Sequence, residues 1–98
     1  MAKKIETVQV AKSPDNVLAT AKGVLSEMGG SIKEEGSGRL VSHITPSIWS
    51  WGEAVTITAT GEGAGSQVEV ESRSRMPLTL IDWGKNGRNV ERVIEGLS

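Results

Sequence analysis

The chain has 98 residues, a formal net charge of −1 and no cysteine. This length predicts a single domain over residues 1–98 with one modest hydrophobic core. The near-neutral charge argues against nucleic acid as a partner, and the lack of cysteine excludes a disulfide framework and a cysteine zinc site. No apolar run reaches the ~20 residues of a membrane span and no signal peptide is recognisable, so we expect a cytoplasmic location.

The first predicted elements are a strand over residues 3–11 and a helix directly after it. Ser13 suits the N-cap of this helix and Pro14 its first position, where the missing N–H costs nothing. The pair Gly29-Gly30 is expected to end the helix, since glycine adopts the left-handed conformation without a steric penalty. Helical spacing gives one apolar face, made of Val17, Leu18, Ala21, Val24, Leu25 and Met28.

Four strands at hairpin spacing are predicted next, over residues 31–35, 39–45, 53–60 and 67–76. The first of these is short and polar and suits a sheet edge. The last two alternate between apolar and polar residues, which is typical of antiparallel strands with one face in water. The residues expected to face inward are Val55, Ile57, Ala59, Val68 and Val70. Residues 61–66, GEGAGS, are predicted to be a loose turn and not a phosphate-binding loop, because no helix follows them.

The last predicted element is a helix that begins directly after Asp82. Its inward stripe falls at steps of four, three, four and three residues: Trp83, Gly87, Val90, Ile94 and Leu97. Asp82 is the expected N-cap, and Asn86 is the alternative, with the helix starting one turn later. Gly87 on this stripe is expected to let the helix and sheet backbones approach closely.

The element order β-α-β-β-β-β-α predicts an α+β fold with a five-stranded antiparallel sheet and two helices on one face. This order resembles the arrangement of the TATA-binding-protein-like and helix-grip folds, in which a C-terminal helix lies across a curved sheet. The resemblance covers nearly the whole chain but carries no motif, so it implies a fold and no function. The pair SWGE (50–53) and DWGKNGRNVERVIEGL (82–97) is also similar to elements of small uncharacterised bacterial domains, which imply no activity.

The segment ITPSIWSWGEA, residues 44–54, contains the most distinctive candidate site. Trp49 and Trp51 would point the same way in an extended chain, because strand side chains alternate. One interpretation is that they extend the core under the last helix. The other is that, with Ile48 and Trp83, they form an apolar lip that binds a hydrophobic ligand or a protein partner.

Three basic residues, Lys85, Arg88 and Arg92, are spaced to form one stripe on the last helix and are the candidates for anion contact. Glu91 and Glu95 share that helix, so a solvated face of mixed charge is the favoured interpretation.

No catalytic residue, cofactor or metal ligand is predicted. His43 is the only histidine and is expected on the surface of a strand. Glu53 could lie near it across the hairpin as an acid–base pair, but no nucleophile accompanies the two.

The sequence therefore favours a non-enzymatic binding or interaction module. The groove between the sheet and the C-terminal helix would take an apolar ligand or a protein partner. Two alternatives stay open: an enzyme without a recognisable motif, and nucleic-acid binding on the open sheet face, which lacks an aromatic platform. The oligomeric state is not predicted.

Overall fold

The computed structural model describes residues 3–44, 52–74 and 85–97, the last range without the side chain of Lys85. Five strands and two helices follow one another in the predicted order. The strands are β1 (Lys3–Val10), β2 (Gly30–Gly36), β3 (Arg39–Ile44), β4 (Glu53–Glu62) and β5 (Gly65–Ser74), and the helices are α1 (Pro14–Glu27) and α2 (Lys85–Leu97). In these ranges no helix is long and apolar enough to cross a membrane.

The strands form one antiparallel sheet in the spatial order β1-β5-β4-β3-β2. Strand β2 pairs with β3, β3 with β4 and β4 with β5, and β1 pairs with the far side of β5. Helix α1 therefore carries the chain from one sheet edge to the other. Both helices pack on the same face and share one hydrophobic core with the sheet. The predicted α+β class, with five antiparallel strands and two helices on one face, is confirmed.

Helix α1 begins and ends as its sequence predicts. The Ser13 side chain accepts a hydrogen bond from the backbone N–H of Asn16 at 3.3 Å, and Pro14 occupies the first helical position. Gly29 has a φ of 81°, the left-handed conformation that ends a helix. The residues of α1 that are buried are Val17, Leu18, Ala21 and Leu25, all on the predicted apolar face.

The hydrophobic core lies between the sheet on one side and α1 and the C-terminal half of α2 on the other. Helix α2 contributes Val90, Val93 and Leu97, none of which has exposed surface. The sheet contributes the predicted inward positions of β4 and β5, which are Val55, Ile57, Ala59, Val68 and Val70. Burial of large aliphatic side chains on this scale is the main favourable term in the stability of so small a domain.

The inward face of α2 differs from the predicted stripe. Val90 and Leu97 are buried as expected, but Ile94 is only partly buried and Val93 takes the core position. The side chain of Trp83 lies outside the described residues. The prediction failed because a helix packed on a sheet buries a face wider than a single line of residues.

The close backbone approach occurs at Gly96 and not at Gly87. A Cβ built on Gly87 would meet none of the described atoms within 4 Å. A Cβ on Gly96 would clash with the side chain of Val24 in α1. The missing side chain therefore lets the two helices approach each other, whereas the prediction placed the approach between helix and sheet.

The start of α2 is settled in part. Asp82, the expected N-cap, lies outside the described residues. Asn86 lies within the helix and its side chain bonds to β5, so the alternative N-cap is wrong.

The turn between β4 and β5 is tight, which corrects the predicted loose turn over residues 61–66. Glu62 pairs with Gly65, leaving two residues in the turn. Gly63 has a φ of 63°, which suits the two-residue turns that match the twist of a hairpin.

Candidate functional site: a buried polar cluster

The inner face of the sheet changes from apolar to polar at the end where β3 and β5 end and β4 begins. Glu53 pairs with Ile44 on one side and with Ser74 on the other, so the three side chains form one row across the sheet. The next row consists of Ser42, Val55 and Ser72. Because strand side chains alternate between faces, both rows lie on the helix-covered side with the core.

Helix α2 covers this end of the sheet with two asparagines. Asn86 and Asn89 are three residues apart, so they share a helix face, and only 0% and 3% of their surface is exposed. Ser72 Oγ donates a hydrogen bond to Asn86 Oδ1 at 2.7 Å, and Asn86 Nδ2 donates to Ser74 Oγ at 3.3 Å. The first described turn of α2 is thus held to β5 by polar contacts.

Asn89 connects the helix to both β4 and β5. Its Nδ2 donates to Glu53 Oε1 at 3.0 Å and to Ser72 Oγ at 3.1 Å. These contacts define the polar cluster, which consists of Glu53, Ser72, Ser74, Asn86 and Asn89. All five members are buried.

Glu53 is the one acidic member of the polar cluster, and it is fully buried. Its second carboxyl oxygen, Oε2, is buried and has no hydrogen-bond partner among the described residues. The ion pairs seen in the same ranges join Lys22 to Glu35, Arg39 to Glu34 and Arg92 to Glu27, and none of them reaches Glu53. A buried carboxyl oxygen without a donor costs free energy, so this atom marks a position where a partner would be favourable.

Gly52 fixes the direction in which the chain enters β4. It is buried and has a φ of 92°, in the left-handed region that disfavours residues with a side chain. Glu53 follows it directly and begins the strand with its side chain on the inner face. In SWGE, the glycine thus allows the left-handed backbone before β4, and the glutamate that follows it begins the strand.

The predicted pair of His43 and Glu53 does not form. His43 pairs with Ala54, one position out of step with the Ile44–Glu53 pair. Because alternate strand residues face opposite sides, His43 lies on the outer face of the sheet and Glu53 on the inner face. No group of three His, Cys, Asp or Glu residues suited to a metal ion exists in the described ranges.

Arg88 and Arg92 lie on the exposed side of α2. Arg92 Nη2 is 3.9 Å from Glu27 Oε2, with the two side chains 56% and 74% exposed, so this contact contributes little stability. Arg88 is exposed as well, and the side chain of Lys85 lies outside the described part. A cleft of about 420 Å³ here has mixed charge, since it is lined by Met28, Arg88, Asn89, Glu91, Arg92 and Glu95. Anion contact through the three basic residues stays a prediction.

A second cleft, which we call the β1–α2 cleft, lies between β1 and the C-terminal end of α2. Its volume is about 490 Å³, and its lining is largely apolar: Val8, Gln9, Val10, Ala11, Lys12, Ile94 and Leu97. It is separate from the polar cluster, which contacts the other end of the helix.

The apolar residues predicted to form a site lie outside the described ranges: Ile48, Trp49, Trp51 and Trp83. The described residues on either side of them are close to the polar cluster. Ile44 and Glu53 flank one segment, and Ser74 and Lys85 flank the other. Both segments therefore join the domain at the end where the polar cluster lies.

None of the five cluster residues was predicted from sequence as part of one site, although a signal was present. Glu53 has the same parity as Val55 and Ile57, and Ser72 and Ser74 have the same parity as Val68 and Val70. The inward pattern thus continues into polar residues at the same end of both strands. Two asparagines at helical spacing with Val90 and Val93 complete the pattern.

The fold is similar to several solved structures. A START superfamily protein from Mycobacterium smegmatis matches with a TM-score of 0.70 and 9% identity, over 97% of this chain and 93% of that one. CalU16 from Micromonospora echinospora matches with a TM-score of 0.62 and 15% identity, over 98% and 76%. A Thermus thermophilus protein matches with a TM-score of 0.54 and 16% identity, over 98% and 94%.

At these identities the likeness shows the fold alone, and it supports the predicted helix-grip-like arrangement. The TATA-binding-protein-like resemblance and the one based on SWGE stay predictions. No protein in the curated set matches the chain. A family model described as "Protein of unknown function (DUF1499)" matches residues 1–97. Because this match spans nearly the whole chain, the protein belongs to the DUF1499 family.

Proposed function

We propose that this domain is a non-enzymatic module that binds a small, largely apolar ligand between the sheet and the N-terminal half of α2. The observation that carries the proposal is the change in the helix–sheet interface along α2. Val90, Val93 and Leu97 form a closed hydrophobic contact, whereas Asn86 and Asn89 form buried polar ones. Ligand sites in proteins combine apolar walls with a few placed polar groups in this way.

The three tryptophans support this location. They are the only aromatic residues of the chain, and each lies in a segment that joins the domain beside the polar cluster. We propose that Trp49, Trp51 and Trp83, together with Ile48, supply the apolar wall of the site. A tryptophan can bury about 150–250 Å², so even one ring would cover much of a small ligand.

The helix-grip-like fold supports the same proposal. A helix that lies across a sheet encloses a space, and side chains decide whether that space is filled or open. Here apolar side chains fill it under the C-terminal half of α2, and the buried polar cluster lies under the N-terminal half. A protein partner is the alternative occupant, and the β1–α2 cleft is the alternative place for an apolar ligand, because its lining is largely apolar.

A fluorescence titration with N-phenyl-1-naphthylamine tests the proposal, since this neutral probe emits strongly only in apolar surroundings. We expect saturable binding to the full chain and no signal in urea. The matched variant is Ile94→Arg, which places a charge in the β1–α2 cleft while its long side chain can reach water. Unchanged affinity of this variant supports the site beside the polar cluster. Loss of probe binding by this variant would place the site in the β1–α2 cleft. Absence of saturable binding by the wild type would refute the proposed function.

A further inference from the structure

The unpartnered oxygen of Glu53 indicates what kind of ligand the site would take. Oε2 is buried, and Oε1 of the same carboxyl group is bonded to Asn89. The side chain is therefore held in place by one oxygen while the other has an open acceptor position. Buried polar atoms in folded proteins nearly always have a partner, which is a protein group, an ordered water or a ligand.

The donors of Asn89 and Ser72 are engaged in other hydrogen bonds. Asn89 Nδ2 carries two hydrogens, and its two acceptors are Glu53 Oε1 and Ser72 Oγ. Ser72 carries one hydroxyl hydrogen, which it donates to Asn86 Oδ1. Asn89 and Ser72 have thus used their donors, and no hydrogen bond from another described group reaches Oε2.

The ionisable groups of the polar cluster limit which ligand groups can partner Oε2. Its only ionisable member is an acid, and no described lysine or arginine pairs with it. An anionic group next to Glu53 would set a further acceptor against a buried oxygen that already lacks a donor. A group that donates a hydrogen bond satisfies the open position.

We propose that the ligand of this site carries an amine or hydroxyl group that donates to Glu53 Oε2, and that the site discriminates against carboxylate and other anionic head groups. This rests on the proposed function and adds the chemical class of the ligand. The rival is an ordered water on Oε2, which would leave the ligand's head group without influence on affinity.

Four naphthalene probes of the same size test the proposal by isothermal titration: 1-naphthylmethylamine, 1-naphthalenemethanol, 1-methylnaphthalene and 1-naphthoic acid. We expect the amine and the alcohol to bind at least about 10-fold more tightly than the acid, which corresponds to about 1.4 kcal/mol. Glu53→Gln keeps the shape of the side chain but replaces one acceptor with a donor. It should weaken amine binding about 10-fold and strengthen binding of the acid.

The control variant is Glu69→Gln, which removes the same charge from an exposed position on the outer face of β5. We expect it to leave all four affinities unchanged. Equal binding of the four probes to the wild type, or a preference for the acid, overturns the head-group proposal and leaves the proposed function standing. If none of the four binds, the proposed function fails with it. The wild-type order decides the question even if Glu53→Gln does not fold.

Discussion

Asn89 of α2 donates a hydrogen bond to Glu53, the first residue of β4, across 3.0 Å in the interior of the domain. The same side-chain nitrogen donates to Ser72 of β5 at 3.1 Å. One amide therefore joins the last helix to β4 and β5 at the end of the sheet where the hydrophobic core stops. The position of α2 over that end depends on polar contacts, and this makes the helix start sensitive to small chemical changes.

Replacement of Asn89 tests this dependence. Asn89→Ala leaves both Glu53 oxygens without a described donor, and we expect it to cost about 1–3 kcal/mol of unfolding free energy. Asn89→Asp should cost more, because it sets a second carboxyl group against Glu53. Urea denaturation monitored by circular dichroism gives both values. Glu91→Ala, on the exposed side of the same helix, is the control and should change stability by less than about 0.5 kcal/mol. An Asn89→Ala midpoint equal to that of the control would contradict the role of the polar cluster.

Two adjacent residues of α2 distinguish its observed inward face from the predicted one. Val93 has no exposed surface, whereas Ile94 is partly buried beside the β1–α2 cleft. We expect Val93→Ala to cost about 2–3 kcal/mol and Ile94→Ala about 1–2 kcal/mol, although isoleucine loses the larger side chain. Guanidinium denaturation of the two variants measures the difference. The reverse order would mean that α2 is rotated about its axis relative to this account.

Replacement of two glycines of α2 by alanine should change the stability of the domain in opposite directions. Gly96→Ala sets a methyl group against Val24 in α1 and should destabilise the domain by about 1–3 kcal/mol. Gly87→Ala meets no described atom within 4 Å, so we expect higher helix propensity to stabilise the domain by about 0.5–1 kcal/mol. Thermal unfolding of both variants is the measurement. A stabilised Gly96→Ala would show that the helices do not meet at this residue.

Most of the fold could be predicted from local chemistry. Helix α1 has a cap, a proline and a terminating glycine in sequence, and β4 and β5 alternate regularly, so their inward residues follow from parity alone. Helix α2 was harder, because its first turns bury asparagines where a search for apolar periodicity expects valine or leucine. Gly87 fell on the predicted stripe by count, yet only the packing of α1 against α2 shows that a side chain at Gly96 would clash with Val24.

The candidate site was harder to predict for a related reason. Glu53 is acidic and begins a strand, and such residues are usually exposed. Its burial depends on the register with Ile44 and Ser74 and on α2 above it, which are contacts between residues distant in sequence. The segments that contain the tryptophans join the sheet at the end where the polar cluster lies, but the cluster itself becomes visible only when the strands are aligned. The possible pairing of His43 with Glu53 was wrong for a different reason: it did not take into account that alternate strand residues face opposite sides of the sheet.

The tryptophans should report directly on ligand binding. If they form the apolar wall that we propose, N-phenyl-1-naphthylamine will reduce quenching of tryptophan fluorescence by iodide. Trp49→Ala and Trp51→Ala should each weaken binding on the order of 10-fold, as expected for the loss of a large apolar contact. Single-tryptophan variants made with phenylalanine identify which ring is protected. Full iodide access to every ring in the presence of saturating probe would exclude the tryptophans from the site.

The most direct test of the account is a ¹H–¹⁵N nuclear magnetic resonance titration of the full chain with 1-naphthylmethylamine. The side-chain amide signals of Asn86 and Asn89 report on the polar cluster, and the backbone signals of Val10 and Lys12 report on the β1–α2 cleft. We predict that the two side-chain amides, with the backbone amide of Glu53, shift progressively and saturate together while the cleft signals stay in place. Shifts confined to the cleft, or no saturable shift at either place, would contradict the claim that the polar cluster is the ligand site.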